Sequence, residues 1–284
     1  LINYEASNNS NDIVLINVTP FVNSRHFHTV TERNLPWGFF QKTFDKGVTV
    51  QPTTKLSTLT LLSTEGQYRA EPGEWMQTYF RVDASRGESS IDNNFKPGFF
   101  ELKVAPDENK KFFMIAVAGK SEEEVENLLS SLIYRDHYSL EALYNAEFKR
   151  RSDILSNFQK RYSDIKFEEW LRWLVLAADA FIVNRESTKT KSVIAGYHWF
   201  EDWGRDSLIS LPGLTLVSGR FEDARQILTT FKEYCRDGII PNRFPDTAGD
   251  KPAYNTVDAS LWYVNAVFQY LKYTGDFQFI RKTL

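Results

Sequence analysis

Sulfur is scarce in this sequence of 284 residues, which contains one cysteine and two methionines. A single cysteine, Cys235, cannot form an intrachain disulfide, so the fold must hold without crosslinks, and we expect a reducing, cytoplasmic compartment. No apolar run approaches the roughly 20 residues that a membrane-spanning helix needs. The amino terminus also lacks the pattern of a secretory signal peptide. We therefore expect no association with a membrane.

An excess of charge of one sign is also missing. The chain has 34 Lys and Arg against 37 Asp and Glu, which gives a net charge of −3. This balance argues against a nucleic-acid-binding protein, which usually carries a clear basic excess. His26 and His28 alternate along one strand-like stretch but have no Cys or acidic partner at ligand spacing. We therefore predict neither a metal site nor a cofactor.

Aromatic residues, in contrast, are plentiful: they make up 15% of the chain, with seven tryptophans. Large rings often belong to the core, but Trp199, Trp203 and Trp262 lie beside carboxylates in two segments, 196–206 and 254–262. A pyranose ring offers flat C–H faces on which aromatic rings stack, and hydroxyls that Asp, Asn and Arg bind. Paired carboxylates can also act as acid and base in glycosidic cleavage. The two segments therefore indicate a carbohydrate-active enzyme.

The pattern of elements changes once along the chain, at Ser121. Before it, short β-branched and aromatic runs separated by Gly, Pro, Asn and Asp predict strands, and after it apolar periodicity predicts helices, with Ser121 as the first N-cap. The expected fold class is α+β with two domains: an N-terminal antiparallel β-sandwich, then an all-α (α/α)6 toroid that is incomplete at the C-terminus. The expected boundaries are 1–120 for the β-sandwich, 121–165 for a helical connector and 166–284 for the first part of the barrel. The predicted strands are Ile13–Val18, Leu56–Leu62, Trp75–Val82, Phe99–Val104 and Phe112–Ala118, and the predicted helices are Glu122–Tyr134, Ser139–Tyr162, Phe167–Asn184, Ser207–Val217, Glu222–Arg236 and Val257–Tyr273.

The first candidate site segment is centred on Gly204, which permits a tight bend between Trp203 and the pair Arg205 and Asp206. Arg offers a planar fork of donors and Asp accepts from hydroxyls, while Trp203 can stack beneath a sugar. A structural alternative is a buried Arg205–Asp206 pair that caps the next helix, since Asp206 and Ser207 also form a plausible N-cap. The two interpretations are compatible.

The second candidate segment has two parts. Asn242 and Arg243 lie in a proline-stiffened turn, although an ordinary interhelix loop would have the same composition. Asp258 then falls in the first turn of a helix, with Asn255 or Thr256 as its N-cap, where it can simply complement the helix dipole. A helix N-terminus favours an ionised carboxylate, whereas a general acid must carry a proton, so enclosure by aromatic rings would have to prevail.

Five motifs in order resemble the amylo-α-1,6-glucosidase domain of glycogen debranching enzymes. They occupy residues 200–209, 211–214, 219–221, 240–244 and 254–262, and the match is dense from about Gly196 to Asp276. The β-rich front half is similar in layout to the N-terminal domain of bacterial and archaeal members. The family implies an (α/α)6 barrel that hydrolyses the α-1,6-linked glucose left at a trimmed branch of glycogen or limit dextrin, with inversion.

The resemblance also implies roles for individual residues. Arg205 and Asp206 would bind hydroxyls of the terminal glucose and Trp203 would line its pocket, because residues 203–206 resemble the Trp-x-Arg-Asp segment of glucoamylases. Asp258 would be the general acid. The other expected substrate-binding residues of these segments are Trp199, Asn242, Arg243, Tyr254 and Asn255.

An inverting hydrolase needs a second carboxylate as base, about 6.5–9.5 Å from the acid. In the family this Glu lies well beyond the second segment, and nothing after Asp258 resembles it. We therefore expect the base beyond residue 284 and little activity from these 284 residues alone. Two alternatives remain: a related inverting glucosidase or glycoside phosphorylase, and a noncatalytic glucan-binding protein. Oligomeric state, branch-length preference and transferase activity stay open.

Overall fold

The computed structural model describes residues 1–25, 29–32, 38–54, 57–133, 137–185, 187–197, 202–244 and 251–283. His26 and His28 lie outside the described residues. The chain divides into two compact units, Leu1–Glu147 and Phe148–Leu284. The division falls within the long helix α3 (His137–Arg161). The domain boundaries predicted at residues 120 and 165 stay predictions.

The first unit is built from antiparallel strands. Its elements are β1 (Ile2–Ser7), β2 (Val14–Val18), β3 (Phe39–Phe44), β4 (Gly47–Pro52), β5 (Thr58–Ser63), β6 (Gln67–Tyr79), α1 (Arg81–Ser85), β7 (Ile91–Val104), β8 (Asn109–Gly119) and α2 (Glu122–Ile133). One sheet has the strand order β1-β8-β5-β4-β3, and the other has the order β2-β7-β6. Both sheets contribute side chains to one apolar cluster, which is the core of this unit.

Alternation along the strands explains how that core forms. On β7, Phe100, Leu102 and Val104 are buried at every second position, because successive side chains of a strand point to opposite faces. From the other sheet, Val48 and Val50 of β4 show the same spacing and enter the same core as Phe100 and Leu102. The period of two in the sequence therefore places one face of each sheet in the interior.

Helix α2 closes a second, smaller cluster in this unit. The Ser121 hydroxyl accepts a hydrogen bond from the Glu124 backbone N–H at 3.1 Å, so the predicted N-cap is confirmed. Val125, on the next turn, is buried against Phe113 and Ile115 of β8. The cap thus fixes where the helix begins and which of its residues meet the sheet.

The second unit contains helices and a β-hairpin. Its elements after α3 are α4 (Glu169–Ala180), β9 (Ile182–Arg185), β10 (Thr190–Val193), α5 (Gly204–Leu211), a π-helical turn (Pro212–Leu216), α6 (Phe221–Glu233), α7 (Asp258–Thr274) and α8 (Phe277–Thr283). Residues from α5, α6, α7 and α8 share one apolar core, together with Val193 of the hairpin. In the part of the chain that the structure describes, no helix has the length and apolarity to cross a membrane.

The predicted all-α (α/α)6 toroid is wrong. The structure is mixed, with 39% helix and 32% strand in several antiparallel sheets. The sequence interpretation extended one helix from Phe167 to Asn184, but α4 ends at Ala180 and the chain enters the hairpin β9–β10. The reason is local: Ile182 and Val183 are β-branched, and such residues favour a strand once a partner strand is available.

A second correction concerns the predicted helix Ser207–Val217. Helix α5 ends at Leu211, and Pro212 opens a π-helical turn in which the Val217 N–H donates to the Pro212 carbonyl at 3.0 Å. Proline lacks the N–H of an α-helical hydrogen bond and its ring crowds the preceding turn, so a change of helix type there has a direct cause.

The core of the first unit generates a stability prediction. Replacing Phe100, which is fully buried, with Ala should lower the free energy of unfolding by about 3–5 kcal/mol, because it leaves a cavity. The matched control Phe40→Ala removes a ring that is 59% exposed and should change that free energy by less than about 0.5 kcal/mol. Urea unfolding followed by circular dichroism measures both. Equal losses for the two variants would contradict this packing.

Candidate active site

The candidate site begins where α5 starts. Trp203 has an extended backbone, with φ −98° and ψ 135°, and the helix begins at Gly204. The Gly204 N–H donates to the Asn242 carbonyl at 2.6 Å, and Trp203 bridges to Arg243 in an antiparallel arrangement. The first candidate segment is therefore bound through its backbone to the second.

Glycine is required at position 204 by this close approach. A Cβ atom there would lie 2.4 Å from the Pro241 carbonyl oxygen and 3.2 Å from Asn242 Cα. The sequence alone suggests a tight bend as the role of this glycine. The structure shows instead a contact between two backbones that no side chain could enter.

The connection continues into the segment that carries the proposed acid. The Asn242 N–H donates to the Ala253 carbonyl at 2.7 Å, and the Ala253 N–H donates to the Arg243 carbonyl at 3.0 Å. Ala253 precedes Tyr254 and lies five residues before Asp258. Short backbone hydrogen bonds thus link all three parts of the predicted site.

The structure brings Arg205 and Asp258 together. Arg205 lies in the first turn of α5 and Asp258 in the first turn of α7, and Arg205 Nε is 3.3 Å from Asp258 Oδ2. Both side chains face solvent in part, with 46% and 37% exposed. Since each helix N-terminus carries a partial positive charge, this end of the unit favours an electron-rich ligand.

The other predicted residues differ in their accessibility. Asp206 and Arg243 are exposed, and Asn255 is exposed beside the start of α7. Trp203 is half-buried. Trp199 lies outside the described residues, so its predicted contact stays a prediction.

Of two further predicted substrate-binding residues, Asn242 is buried and Tyr254 is half-buried. Asn242 is only 2% exposed, and its Oδ1 has no hydrogen-bond partner among the residues that the structure describes. The Tyr254 hydroxyl donates to the Tyr234 carbonyl at 2.7 Å, and the Arg236 guanidinium lies over the Tyr254 ring. These contacts shape the wall of the site, and contact with a substrate stays a prediction for both.

The predicted helix caps differ from those observed. Helix α5 has Trp203 as its N-cap and α7 has Val257, and neither makes a side-chain capping hydrogen bond. Capping by Asp206, Asn255 or Thr256 is therefore wrong. Asp206 and Asp258 lie inside the helices, where their carboxylates are available for other contacts.

The main feature that sequence reasoning missed is the role of Asp202. It is only 4% exposed, its Oδ1 accepts a hydrogen bond from Arg185 Nη1, and its Oδ2 accepts one from Ser192 Oγ at 2.7 Å. Arg185 also lies over the Phe244 ring. The hairpin therefore anchors the residue immediately before Trp203. An acidic residue in an apolar, tryptophan-rich segment was the available signal, but its partner on the hairpin could not be inferred.

The described residues contain no group of three or more His, Cys, Asp and Glu side chains that could hold a metal ion. The groups that this site offers to a ligand include Arg205, Asp206 and Asp258, beside the half-buried ring of Trp203.

Comparison with known proteins gives two family matches and one relative of known name. Residues 176–284 match the family model described as amylo-alpha-1,6-glucosidase, and residues 1–111 match the one described as glycogen debranching enzyme N terminal. The glycogen debranching enzyme of Saccharomyces cerevisiae is 39% identical over 74 residues, which are 26% of this chain and 5% of that enzyme.

A solved structure has a similar fold. A putative kojibiose phosphorylase from human microbiome aligns with 99% of this chain and 39% of its own, with a TM-score of 0.50 and 14% identity. At this level of identity the likeness shows the fold alone. The two family matches confirm the resemblance predicted from the motifs, and the chain is debranching-enzyme-like. It spans well under two thirds of the length of either relative.

The close approach at Gly204 can be tested by substitution. Gly204→Ala should lower the free energy of unfolding by about 1–3 kcal/mol, because the added methyl group overlaps the Pro241 carbonyl and must separate the two segments. Gly213→Ala is the control, since nothing lies within 4 Å of the position that its added methyl group would take. Its free energy of unfolding should rise by up to about 1 kcal/mol. Urea unfolding measures both variants. A Gly204→Ala protein as stable as wild type would refute the contact.

Proposed function

We propose that this chain carries the glucose-binding and acid-donating part of a site that hydrolyses α-1,6-linked glucose at branch points of glycogen or limit dextrin, with inversion. The observation that carries the proposal is the Arg205–Asp258 contact at 3.3 Å. It joins two sequence motifs 53 positions apart, on the first turns of two helices, within the region that matches the amylo-alpha-1,6-glucosidase model. Both side chains are accessible to a ligand.

The chemistry of each group supports a division of roles. Arg205 offers several donors in one plane and Asp206 accepts hydrogen bonds, so together they can bind the vicinal hydroxyls of a terminal glucose. Trp203 presents a partly exposed ring beside them for stacking on the sugar face. Asp258 then protonates the departing glycosidic oxygen as general acid.

Arg205 and Asp258 occupy each other in their contact at 3.3 Å, so they must separate before either can act on a substrate. When glucose binds, we propose that Arg205 turns its donors to the sugar hydroxyls while the sugar covers Asp258 and excludes water. Because the pair is exposed, Arg205 can exchange Asp258 for hydroxyls at little energetic cost.

The second carboxylate of an inverting mechanism should lie about 6.5–9.5 Å from the acid, with room for a water molecule. The resemblance puts it in a segment after the matched motifs, and we expect it beyond residue 284. The substrate is proposed to be a branched α-glucan. The cytoplasmic location expected from the single cysteine is likewise a proposal.

Asp258→Asn in the full-length protein should reduce turnover on branched limit dextrin by about 10²–10⁴-fold, because the amide cannot donate the catalytic proton. The affinity for a slowly hydrolysed oligosaccharide should change little. Glu222→Gln is the matched control, since it neutralises an exposed acid in the first turn of another helix, and it should keep wild-type turnover. Release of reducing glucose is the measurement.

The outcomes separate this proposal from its competitors. Wild-type turnover in Asp258→Asn would reject the assignment of the acid. Release of glucose 1-phosphate in the presence of phosphate, with no free glucose, would identify a phosphorylase. A wild-type protein that binds glycogen but releases no sugar would be a glucan-binding protein.

A further inference from the structure

The second unit has a cleft that takes no part in the candidate active site. Its volume is about 450 Å³, which lies within the range of small-ligand sites. Helix α4 forms one wall with Leu176 and Ala180, and the hairpin forms another with Asn184 and Lys191. The cleft therefore joins an apolar wall to a polar one.

The polar wall offers hydrogen-bonding groups to a ligand. Asn184 and Lys191 are paired across the hairpin, so their side chains lie side by side on one face. Neither side chain makes a hydrogen bond with the residues that the structure describes. An Asn amide supplies an acceptor and two donors, and a Lys ammonium supplies three donors. Together the two side chains can bind neighbouring hydroxyl groups of one ligand.

A carboxylate fixes the remaining wall of the cleft. Asp179 accepts hydrogen bonds from Arg150 Nη2 at 2.7 Å and from Arg220 Nη1 at 2.6 Å. Burial alone would raise the pKa of Asp179, but the two guanidinium groups outweigh it and hold that pKa below its usual value. Asp223 also accepts a hydrogen bond from Arg220 Nε. Asp179 therefore stays ionised and holds both guanidinium groups in place.

Two tryptophans extend the wall of α4 beyond the cleft. Trp170 and Trp173 are 64% and 65% exposed. Residues three positions apart are neighbours on a helix surface, so Trp173 lies beside Leu176 of the cleft, and Trp170 lies about one turn further away. Helix α4 therefore presents a row of two exposed indole rings that begins at the cleft.

The combination of exposed rings and a polar wall selects the class of ligand. Two exposed indoles keep a large apolar area in contact with water, so a ligand that covers them gains free energy from the hydrophobic effect. An apolar protein surface could cover the rings, but it would offer no hydrogen bonds to Asn184 and Lys191. A carbohydrate suits both walls, because a pyranose has C–H faces for the rings and hydroxyls for the polar groups.

The hairpin separates this cleft from the residues that anchor the candidate active site. Asn184 and Lys191 face the cleft. Their neighbours Arg185 and Ser192 point to the other face, as alternation requires, and hold Asp202. Substituting Asn184 thus alters the cleft without removing a group that supports the candidate active site.

We propose that this cleft, together with the rings of Trp173 and Trp170, binds a linear α-glucan chain at a second site that performs no hydrolysis. Successive glucose units stack along the two rings, and the unit in the cleft hydrogen-bonds to Asn184 and Lys191. A polysaccharide held here stays attached between encounters with the candidate active site, which raises the effective concentration of its branch points. The choice of an α-glucan among carbohydrates rests on the proposed function, whereas the aromatic and polar walls do not.

The test is a titration of the full-length protein with maltoheptaose, a linear α-glucan, by isothermal calorimetry. Saturable binding is expected, and maltose should bind about tenfold more weakly, because it cannot cover the cleft and both rings at once. Trp173→Ala and Asn184→Ala should each weaken the binding of maltoheptaose by about threefold or more, since one removes a stacking ring and the other a hydrogen-bonding group. Trp173→Phe keeps an aromatic ring and should bind within about twofold of wild type.

Phe277→Ala is the matched control, since it removes a ring that is 59% exposed at the start of α8, and it should bind maltoheptaose as wild type does. Circular dichroism checks that each variant is folded. Asp206→Ala separates the two glucan sites, because it changes the candidate active site alone and should retain the binding that Trp173→Ala weakens.

The proposal is overturned if maltoheptaose does not bind, if folded Trp173→Ala binds it as wild type does, or if only Asp206→Ala weakens its binding. Failure of the proposed function gives a different result. Wild-type turnover in Asp258→Asn would reject the assignment of the acid, while weaker binding by Trp173→Ala would still support the second glucan site.

Discussion

The candidate site depends on one close backbone contact. Gly204 lies against Pro241 and Asn242 so tightly that no side chain could be added, and its N–H donates to the Asn242 carbonyl. Through that contact the start of α5 is set relative to the strand-like segment that leads to α7. The distance between Arg205 and Asp258 is a consequence, because each residue lies within two positions of its helix start. A shift of about 1 Å at Gly204 would move the binding group relative to the proposed acid.

The Asp202–Arg185 pair holds the same loop from its other side. Both side chains are less than a tenth exposed, and Ser192 completes the hydrogen bonding of the carboxylate. A buried ion pair gains little net stability over apolar packing, but removing one partner leaves an uncompensated charge and costs about 3–5 kcal/mol. The pair is therefore better understood as a device that fixes position. The Asp202–Arg185 pair thereby restricts the conformations that the backbone at Trp203 can adopt.

Features of the fold that depend on neighbouring residues could be predicted from the sequence, whereas features that depend on distant residues could not. The Ser121 cap and the alternation on β7 are local, and both could be read from neighbouring residues. The prediction of an (α/α)6 toroid was wrong because the hairpin strands β9 and β10 are only four residues each. Strands this short do not visibly interrupt the helical pattern of the sequence. The proximity of Arg205 and Asp258 was expected from family motifs. The contacts of Asp202 and Gly204 could not be foreseen, because they depend on which distant backbone and side chain arrive beside them.

Two arginine–aspartate pairs near the same loop illustrate how burial separates structure from function. Arg185 and Asp202 are enclosed and cannot exchange partners without exposing a charge to an apolar interior. Arg205 and Asp258 are about two-fifths exposed, and such a pair contributes only about 0–1 kcal/mol to stability. Stability therefore gives no sufficient reason for two helices to present opposite charges to solvent at the same place. The proposed recognition of a hydroxyl-rich ligand would give one, because the exposed pair could open and offer its donors and acceptors while the buried pair holds the loop still.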